Sequence, residues 1–349
     1  MVIGHASSEV DRVLGDVLAG VKVAALLDAP TYANVGDNAI WVAQLRWLRA
    51  RGIRVAYTCD RRTYSARALA ARLPADGVIL LSGGGSLGDL WPEHQELRER
   101  VVADFPARRI VVLPQSLHFE SAARRERAQR SFDRHPRLTL LLRDVPSLEQ
   151  AAATFAATTL LCPDITFTLA LSPPRTPASG IVWLGRWDQE ARAEAQLVPP
   201  TRTDVTVVDW GDEGAAPTRS LRRRVSDSLH YRTRAAAIRF PRLRRPLAQV
   251  LAPAYERTAS HHLERGCALL GRGSVVVTDR LHGHILALLM GMPHVLLDNR
   301  TGKVRACYEQ WTRTAPNVRW ADNAAEALDH ATALLDAPAG GGGTEPPVP

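Results

Sequence analysis

The feature that most constrains the fold of this chain is a regular alternation of short apolar runs with stretches long enough to form helices. The apolar runs are rich in Val, Ile and Leu, which is typical of parallel strands that are buried on both faces. In the first half of the sequence they lie at 21–27, 53–59, 77–82, 108–113, 137–142 and 158–162. Strands that alternate with helical stretches in this way predict a doubly wound α/β domain with a parallel sheet.

A Pro- and Ser-rich cluster, SPPRTPAS at 172–179, interrupts this alternation and has no hydrophobic period. A second series of apolar runs follows it, at 180–185, 204–210, 274–279 and 293–298. We therefore place a domain boundary at the cluster and predict two α/β domains, at 1–171 and 180–336. The remaining segment, 337–349, is rich in Gly and Pro and is predicted to be disordered.

The composition is that of a globular protein, with 46% hydrophobic and 23% charged residues. No apolar run approaches the roughly 20 residues that span a bilayer. The N-terminus has acids where a secretory signal has a basic start and an apolar block. The four cysteines lie far apart, without the spacing of a zinc site or a disulfide framework. We therefore expect a cytoplasmic protein with reduced thiols.

The chain has a formal net charge of +8, which favours nucleic acid, anionic membranes or phosphorylated substrates as partners. Much of this charge falls in 219–245, where arginines alternate with Leu, Tyr, Ile and Phe and the single acid is Asp227. Such a segment is typical of a helix on an anionic membrane surface, here the inner membrane face, although a solvated helical face is the alternative. The arginines are Arg219, Arg222, Arg223, Arg224, Arg232, Arg234, Arg239, Arg242, Arg244 and Arg245.

Three segments place polar residues directly at the ends of predicted strands: NVGDNAIW at 34–41, SGGGSLGD at 82–89 and LLLRDVPS at 140–147. The carboxyl ends of parallel strands meet at one edge of a sheet, so the backbone N–H groups of Gly84 and Gly85 could bind a phosphate or carboxylate there. The spacing matches neither the dinucleotide fingerprint nor the P-loop. A simple turn that requires glycine is the alternative.

The densest polar cluster is TDRLHGHI at 278–285, which follows the apolar run SVVV. If the strand ends at Asp279, a helix begins near His282. The positive helix N-terminus, Arg280 and an imidazole then converge on one point. This arrangement suits an anion site or an acid catalyst. Lys303, which follows the turn NRTG, would add a further positive charge.

Six segments, taken in order, resemble the polysaccharide pyruvyl transferase family. They are NVGDNA, SGGGSLGDL, VVLPQSLHF, LLRDVPS, LCPDITF and TDRLHGHILALLMGMPHVLLDNRTGK, and the resemblance extends over residues 21–312. The last segment is the most specific. The resemblance implies two Rossmann-like domains that face a cleft, similar to the B fold of glycosyltransferases, with the active site in the cleft. The boundary at 172–179 agrees with that architecture.

The resemblance also implies a reaction in which the pyruvyl group of phosphoenolpyruvate is transferred to two hydroxyls of a sugar. A cyclic ketal forms and phosphate is released. Phosphoenolpyruvate is then a co-substrate, and neither a cofactor nor a metal is expected, because arginines can stabilise its charges. The acceptor is a saccharide, either free or linked to a lipid. The residues assigned to donor binding are Gly84, Gly85, Arg143, Arg280, Leu281, His282 and Lys303.

This chemistry requires an acid and a base. His282 is predicted to protonate C3 of the enol, which makes C2 electrophilic. A base must then take the proton of the attacking sugar hydroxyl. Three acids at strand ends, Asp37, Asp89 and Asp164, are candidates for the base, and Asp37 and Asp89 are assigned with His282 to the catalytic set.

Two other functions fit the same cleft. A glycosyltransferase would bind the diphosphate of a nucleotide-sugar at the Gly-rich segment, but no acid for the ribose hydroxyls is identifiable at the usual distance. A non-catalytic relative could bind anions on the same fold, because fold does not fix function. A nucleic-acid partner is not expected, since the sequence contains no recognisable reader module.

Overall fold

The computed structural model describes residues 2–173, 180–186, 188, 190–192, 202–211 and 221–337, without the side chains of 221–227. These residues form two parallel β-sheets, of seven and five strands, with helices packed against them. The α/β fold class predicted from the sequence is confirmed. Among the helices of the described residues, none is long and apolar enough to cross a membrane.

The first sheet is built from strands in the first half of the sequence. They are β1 (Val23–Leu27), β2 (Arg54–Cys59), β3 (Val78–Leu81), β4 (Gly84–Gly88), β5 (Ile110–His118), β6 (Leu138–Leu142) and β7 (Thr158–Leu161). All pairs are parallel, in the order β2-β1-β3-β5-β6-β7, and β4 pairs with β5. Ala24 and Leu26 belong to one hydrophobic core, whereas Ala25 and Leu27 belong to another. Both faces of the sheet are covered, which explains why its strands are continuous apolar runs.

The second sheet is built from strands in the second half. They are β8 (Ile181–Leu184), β9 (Val205–Val208), β10 (Val275–Thr278), β11 (His294–Leu296) and β12 (Val318–Trp320). They are parallel, in the order β12-β11-β10-β8-β9. The predicted boundary segment 172–179 lies between β7 and β8, but 174–179 are outside the described residues, so the domain limits stay a prediction. The predicted tail at 337–349 is also outside them, apart from Ala337.

Helices from both halves of the chain cover the first sheet. The α-helices of the described residues are α1 (Val2–Val17), α2 (Val35–Ala50), α3 (Ala66–Ala70), α4 (Pro92–Asp104), α5 (Ala122–Phe132), α6 (Val145–Thr154), α7 (Leu221–Arg239), α8 (Arg244–Leu270), α9 (Leu281–Leu289), α10 (Lys303–Cys307) and α11 (Ala324–Asp336). Although α8 follows β9 in the sequence, it packs on α2 and β2. Gly266 permits this approach, because a Cβ there would lie 2.2 Å from Cγ1 of Val35.

The Gly-rich segment at 82–89 is partly a strand. The sequence left an anion-binding segment and a simple turn as alternatives, but β4 forms within it and pairs with the C-terminal part of β5, which extends beyond the predicted run at 108–113. Gly84 and Gly88 have φ angles of 134° and 124°. A Cβ on Gly88 would lie 1.8 Å from the carbonyl oxygen of His118. Glycine is therefore required here for close strand pairing.

Candidate active site

The N-termini of α2 and α9 meet in the cleft between the two sheets. The side chain of Asn34 caps α2 by accepting a hydrogen bond of 2.9 Å from the backbone N–H of Gly36. Helix α9 begins at Leu281, immediately after β10 and Arg280. A Cβ on Gly36 would lie 2.4 Å from Nδ1 of His282. Gly36 thus leaves the space in which an imidazole from the second half packs against a helix N-terminus of the first.

Asp164 connects the two halves electrostatically. Its Oδ2 lies 2.7 Å from Nη1 of Arg143 and 3.2 Å from Nε2 of His282. Its Oδ1 accepts hydrogen bonds from the backbone and the hydroxyl of Thr166, at 3.0 and 2.7 Å. Burial by itself raises the pKa of Asp164, but His282, Arg143 and Thr166 outweigh burial and lower this pKa well below its ordinary value. The ionised carboxylate therefore fixes Arg143 and His282 relative to each other.

Arg143, at the C-terminal end of β6, is oriented by further contacts. Its Nε donates to Oγ of Ser116 at 2.9 Å, and that hydroxyl donates to Oδ2 of Asp144 at 2.6 Å. Its Nη2 lies 3.1 Å from the position that a Cβ on Gly85 would take, and Nζ of Lys303 lies 3.2 Å from the same position. The missing side chain of Gly85 thus allows two cations to approach the backbone of β4 together.

Arg280 is buried at the start of α9. Its Nε donates to the carbonyl oxygen of Gly185 at 3.0 Å, and its guanidinium also hydrogen-bonds Oδ1 of Asp209. Its backbone N–H donates to Oγ1 of Thr278 at 3.0 Å. Burial, reinforced by the nearby charge of Arg186, lowers the pKa of Arg280. Arginine starts from a pKa above 12, so the guanidinium remains charged at neutral pH.

A second group of charges follows β8 and was not singled out from the sequence. Nε of Arg186 lies 2.9 Å from Oδ1 of Asp188, and Nη1 lies 3.0 Å from Oε2 of Glu190. The same oxygen of Glu190 pairs with Nζ of Lys303. Burial lowers the pKa of Lys303 to about 8, although Glu190 opposes this shift. The position of these residues directly after the apolar run at 180–185 is the signal that could have found them.

Another wall of the site carries an imidazole held by a carboxylate. Nδ1 of His94, in α4, lies 2.7 Å from Oδ2 of Asp28, and its Nε2 lies 3.4 Å from Nη1 of Arg61. Asp28 has a φ of 75°, in a region that is costly for a residue with a side chain and that is enriched at functional sites. A carboxylate at one nitrogen orients the ring so that the other nitrogen can exchange a proton.

These groups surround one cavity of about 320 Å³ between the two halves. This volume lies at the lower end of the range for small-molecule sites, about 300 to 1,000 Å³. Gly84 is not part of the lining but lies next to it, since a Cβ there would be 3.5 Å from Oδ1 of Asp37. The sequence-predicted residues that line the cavity are Asp37, Gly85, Arg143, Arg280, Leu281, His282 and Lys303. The charged and aromatic lining residues that sequence reasoning missed include Arg61, His94, Arg186, Asp188, Glu190 and Trp210.

Asp89 is not brought to this cavity. One oxygen of its carboxylate accepts from the backbone N–H of Glu120 at 2.9 Å, and the other accepts from that of Ser121 at 2.7 Å. Ser121 is in turn the N-cap of α5. Asp89 therefore holds the chain at the start of α5, and both of its oxygens are engaged.

Comparison with known sequences agrees with this site. Residues 34–301 match the model of the family described as polysaccharide pyruvyl transferase. The chain belongs to this family. The resemblance found in the six sequence segments is thereby confirmed, and the match includes β4 and the ends of β6 and β10, from which the cavity receives Gly85, Arg143 and Arg280.

Two proteins with similar sequences have names that contain the words pyruvyl transferase. Pyruvyl transferase 1 of Schizosaccharomyces pombe is 32% identical over 305 residues, which cover 84% of this chain and 70% of that protein. Putative pyruvyl transferase EpsO of Bacillus subtilis is 27% identical over 303 residues, which cover 86% of this chain and 88% of that protein.

A solved structure supports the fold. The crystal structure of an uncharacterised protein from Klebsiella pneumoniae matches with a TM-score of 0.55 and 14% sequence identity, covering 91% of this chain and 98% of that one. At this identity the likeness concerns the fold alone. It agrees with two Rossmann-like halves in the arrangement of the glycosyltransferase B fold.

Proposed function

We propose that this family member transfers the pyruvyl group of phosphoenolpyruvate to two hydroxyls of a saccharide, forming a cyclic ketal and releasing phosphate. The observation that carries the proposal is the convergence of Arg143, Arg280, Lys303 and His282 on one cavity between the two halves. Family membership supports a pyruvyl transferase, and this set of side chains supports an anionic donor that must be protonated.

The donor has a phosphate and a carboxylate, so it requires several positive groups. Arg143 and Lys303 approach each other above Gly85, and Arg280 precedes a helix N-terminus, where backbone N–H groups also attract an anion. Guanidinium groups can grip phosphate or carboxylate with two hydrogen bonds. Lys303, with a pKa of about 8, is mostly protonated at neutral pH. We assign Arg143, Arg280 and Lys303 to the binding of the donor's phosphate and carboxylate.

His282 is the acid in this mechanism. Asp164 orients its ring through Nε2. Transfer of a proton from the imidazole to C3 of the enol converts the methylene into a methyl group and makes C2 electrophilic. A first sugar hydroxyl adds to C2, phosphate leaves, and the second hydroxyl closes the ketal. Of the two hydroxyl protons, one restores the proton that the imidazole gave to C3, and the other leaves with phosphate.

Two groups of the cavity lining can take the proton of the attacking hydroxyl. Asp37 is the member of the three predicted acids that lines the cavity. His94 is the second candidate, because Asp28 holds its Nδ1 and leaves Nε2 beside Arg61. Comparing Asp37→Asn with His94→Gln separates them: the variant of the base loses turnover while it retains phosphoenolpyruvate binding.

The first test is titration calorimetry of the purified protein with phosphoenolpyruvate, and with UDP- and GDP-sugars as controls. We expect selective binding of phosphoenolpyruvate. Replacing Arg280 by Ala should weaken that binding by about 1.5 to 3 kcal/mol, because a hydrogen bond to a charged group is lost. Arg300→Ala is the matched control, since Arg300 is half exposed and pairs with Glu120 at the surface; it should bind phosphoenolpyruvate as the unmodified protein does.

The same titrations can contradict the proposal. Binding of a nucleotide-sugar without binding of phosphoenolpyruvate would favour the glycosyltransferase alternative. Binding of phosphoenolpyruvate without phosphate release in the presence of any of a panel of saccharide acceptors would favour a non-catalytic anion-binding relative.

A further inference from the structure

Helices α7 and α8 form a hairpin whose outer surface has no part in the cavity. We call residues 228–250 the basic hairpin; it contains the end of α7, a short 3₁₀ turn at Pro241–Leu243 and the start of α8. The ring centroids of His230 and Tyr255 are 5.4 Å apart, and Nδ1 of His230 lies 3.2 Å from Oγ1 of Thr258. The two helices therefore run antiparallel, with the turn at the tip of the hairpin.

The basic hairpin exposes an unusual amount of apolar surface. Of the eight large apolar side chains that are exposed in the described part of the chain, five lie within it, at between 39% and 73% exposure. Single exposed apolar residues need no explanation, whereas five of them within residues 228–250 indicate a contact surface. The five are Leu229, Tyr231, Phe240, Leu243 and Val250.

The charge of the same segment has one sign. From residue 228 to residue 255 the sequence contains six arginines and no acid. Arg234 and Arg244 point into the fold: Arg234 pairs with Asp60 at 2.9 Å, and Arg244 donates to the carbonyl oxygen of Tyr64 at 2.9 Å. The other four are exposed and form no ion pair with a carboxylate of the described residues. They are Arg232, Arg239, Arg242 and Arg245.

The inner contacts place the hairpin beside the cavity. Arg234 contacts Asp60 and also donates to Oγ1 of Thr31 at 3.3 Å. The next residues in the chain, Tyr32 and Arg61, both line the cavity. A surface that contacts the basic hairpin therefore lies close to this side of the cavity.

We propose that the basic hairpin docks on an anionic lipid bilayer, with its apolar side chains at the level of the headgroups and its four exposed arginines on the lipid phosphates. Aromatic and aliphatic side chains enter the interface between headgroups and acyl chains, and arginines beside them pair with anionic headgroups. A helical surface that contacts only water is expected to carry mainly polar side chains, whereas the basic hairpin exposes five apolar ones. Docking does not depend on the proposed reaction; if that reaction is also correct, docking brings the cavity to acceptors carried on lipid.

The test is flotation of the full chain with two kinds of vesicles, one of phosphatidylcholine alone and one of phosphatidylcholine with about one third phosphatidylglycerol. We expect binding to the anionic vesicles, and weaker binding as salt is added, because exposed charges are screened. The charge-reversal variant Arg239→Glu/Arg242→Glu/Arg245→Glu should lower the partition coefficient by at least about tenfold, given the contribution of each basic residue near an anionic surface.

Two further variants make the test specific. Tyr231→Ser/Phe240→Ser keeps every charge and should also weaken vesicle binding, because less apolar surface enters the interface. Arg124→Glu/Arg125→Glu/Arg134→Glu is the matched control: it reverses three exposed arginines outside the hairpin and should retain much more binding than the hairpin variant. An unchanged melting temperature excludes unfolding as the cause of lost binding.

Several results would overturn the proposal. They are equal binding to neutral and anionic vesicles, no binding to either, an equal loss in the control variant, and full binding by Tyr231→Ser/Phe240→Ser. Full displacement from vesicles by soluble glycerol 3-phosphate would assign the arginines to a free phosphate instead. A dimer in sedimentation velocity that the apolar variant abolishes would assign the surface to self-association.

Discussion

The cavity and the basic hairpin both depend on arginine, but the two regions hold it in opposite surroundings. In the cavity, Arg143 and Arg280 are 3% and 5% exposed, and each contacts a carboxylate. In the hairpin, Arg239 and Arg242 are exposed and pair with no carboxylate of the described residues. Both regions are near each other, on either side of the segment that contains Asp60 and Arg61.

The difference follows from the cost of burying charge. A guanidinium that leaves water must be paired and hydrogen-bonded, so its position in the cavity is fixed by groups such as Asp164. Fixed positions suit the recognition of a small donor with two anionic groups. An exposed guanidinium needs no partner, and its charge remains available to attract a large anionic surface from a distance. Removing a buried, paired arginine of the cavity should therefore lower both stability and turnover. Removing an exposed arginine of the basic hairpin should affect only the association with an anionic surface.

The largest effect is expected at His282, which the buried carboxylate of Asp164 holds. We expect His282→Gln to lower turnover by about 100- to 10,000-fold, the usual contribution of a positioned acid, with little change in phosphoenolpyruvate binding. Steady-state phosphate release and calorimetry measure the two quantities. The control is His118→Gln, because His118 is a partly exposed imidazole beside Glu120. This variant should have the same turnover as the unmodified protein. A loss confined to donor affinity would contradict an acid role.

The next effect is on stability. Arg143→Ala leaves the buried Asp164 without one of its cations, and we expect the free energy of unfolding to fall by about 3 to 5 kcal/mol. Denaturation in urea measures this change. Arg130→Ala, which removes a surface pair with Glu126 in which both side chains are more than 60% exposed, should cost about 0 to 1 kcal/mol. Similar losses in the two variants would remove the distinction between buried and exposed arginines.

A smaller effect concerns the pH dependence of donor binding. The pKa of Lys303 is lowered to about 8, so this side chain is charged below that pH and loses its proton above it. We expect the affinity for phosphoenolpyruvate to fall from about pH 8 upward, by at most about tenfold per pH unit, since one proton is involved. Lys303→Arg should bind without this decline, because arginine stays charged. The same slope in both proteins would place the titrating group elsewhere.

The smallest effect is expected in the basic hairpin. Arg242→Ala removes an exposed guanidinium that pairs with no carboxylate of the described residues, and the free energy of unfolding should change by less than about 0.5 kcal/mol. Urea denaturation measures it against the unmodified protein. A loss above about 1 kcal/mol would mean that this arginine supports the fold, and the contrast with Arg143 would then disappear.

Much of the fold could be predicted because buried parallel strands have a local signature. Val275–Thr278 and Val23–Leu27 are short, apolar and bounded by polar residues, so they are recognisable without any knowledge of their neighbours. The strand at Val318–Trp320 was missed, since three residues at the edge of a sheet, one of them exposed, carry too little pattern. Pairing of Gly84–Gly88 with β5 was missed for another reason: glycines suggest a turn until a second strand is in place.

The candidate site likewise contains residues that could be predicted from the sequence and residues that could not. The end of β10 could be assigned from the sequence, because a strand that stops at an acid, an arginine and a histidine predicts a helix N-terminus with converging charge. Asp28 and His94 are 66 residues apart in the sequence, and the residues around each of them do not indicate that the two side chains form a pair. Asp89 shows the reverse: its position at a strand end is favourable, but its oxygens accept hydrogen bonds from the backbone N–H groups of Glu120 and Ser121, just before α5.

The sequence by itself determined the parallel α/β architecture, the family and the residues that carry charge to the ends of the strands. These depend on side-chain periodicity and on short segments, and both are local properties of the chain. Tertiary structure alone decided that Asp164 holds Arg143 and His282 together, that Glu190 joins Arg186 to Lys303, and that α8 packs on α2. The contacts of Asp164 with His282, of Glu190 with Lys303 and of α8 with α2 join residues far apart in the sequence, and only the folded chain fixes their distance.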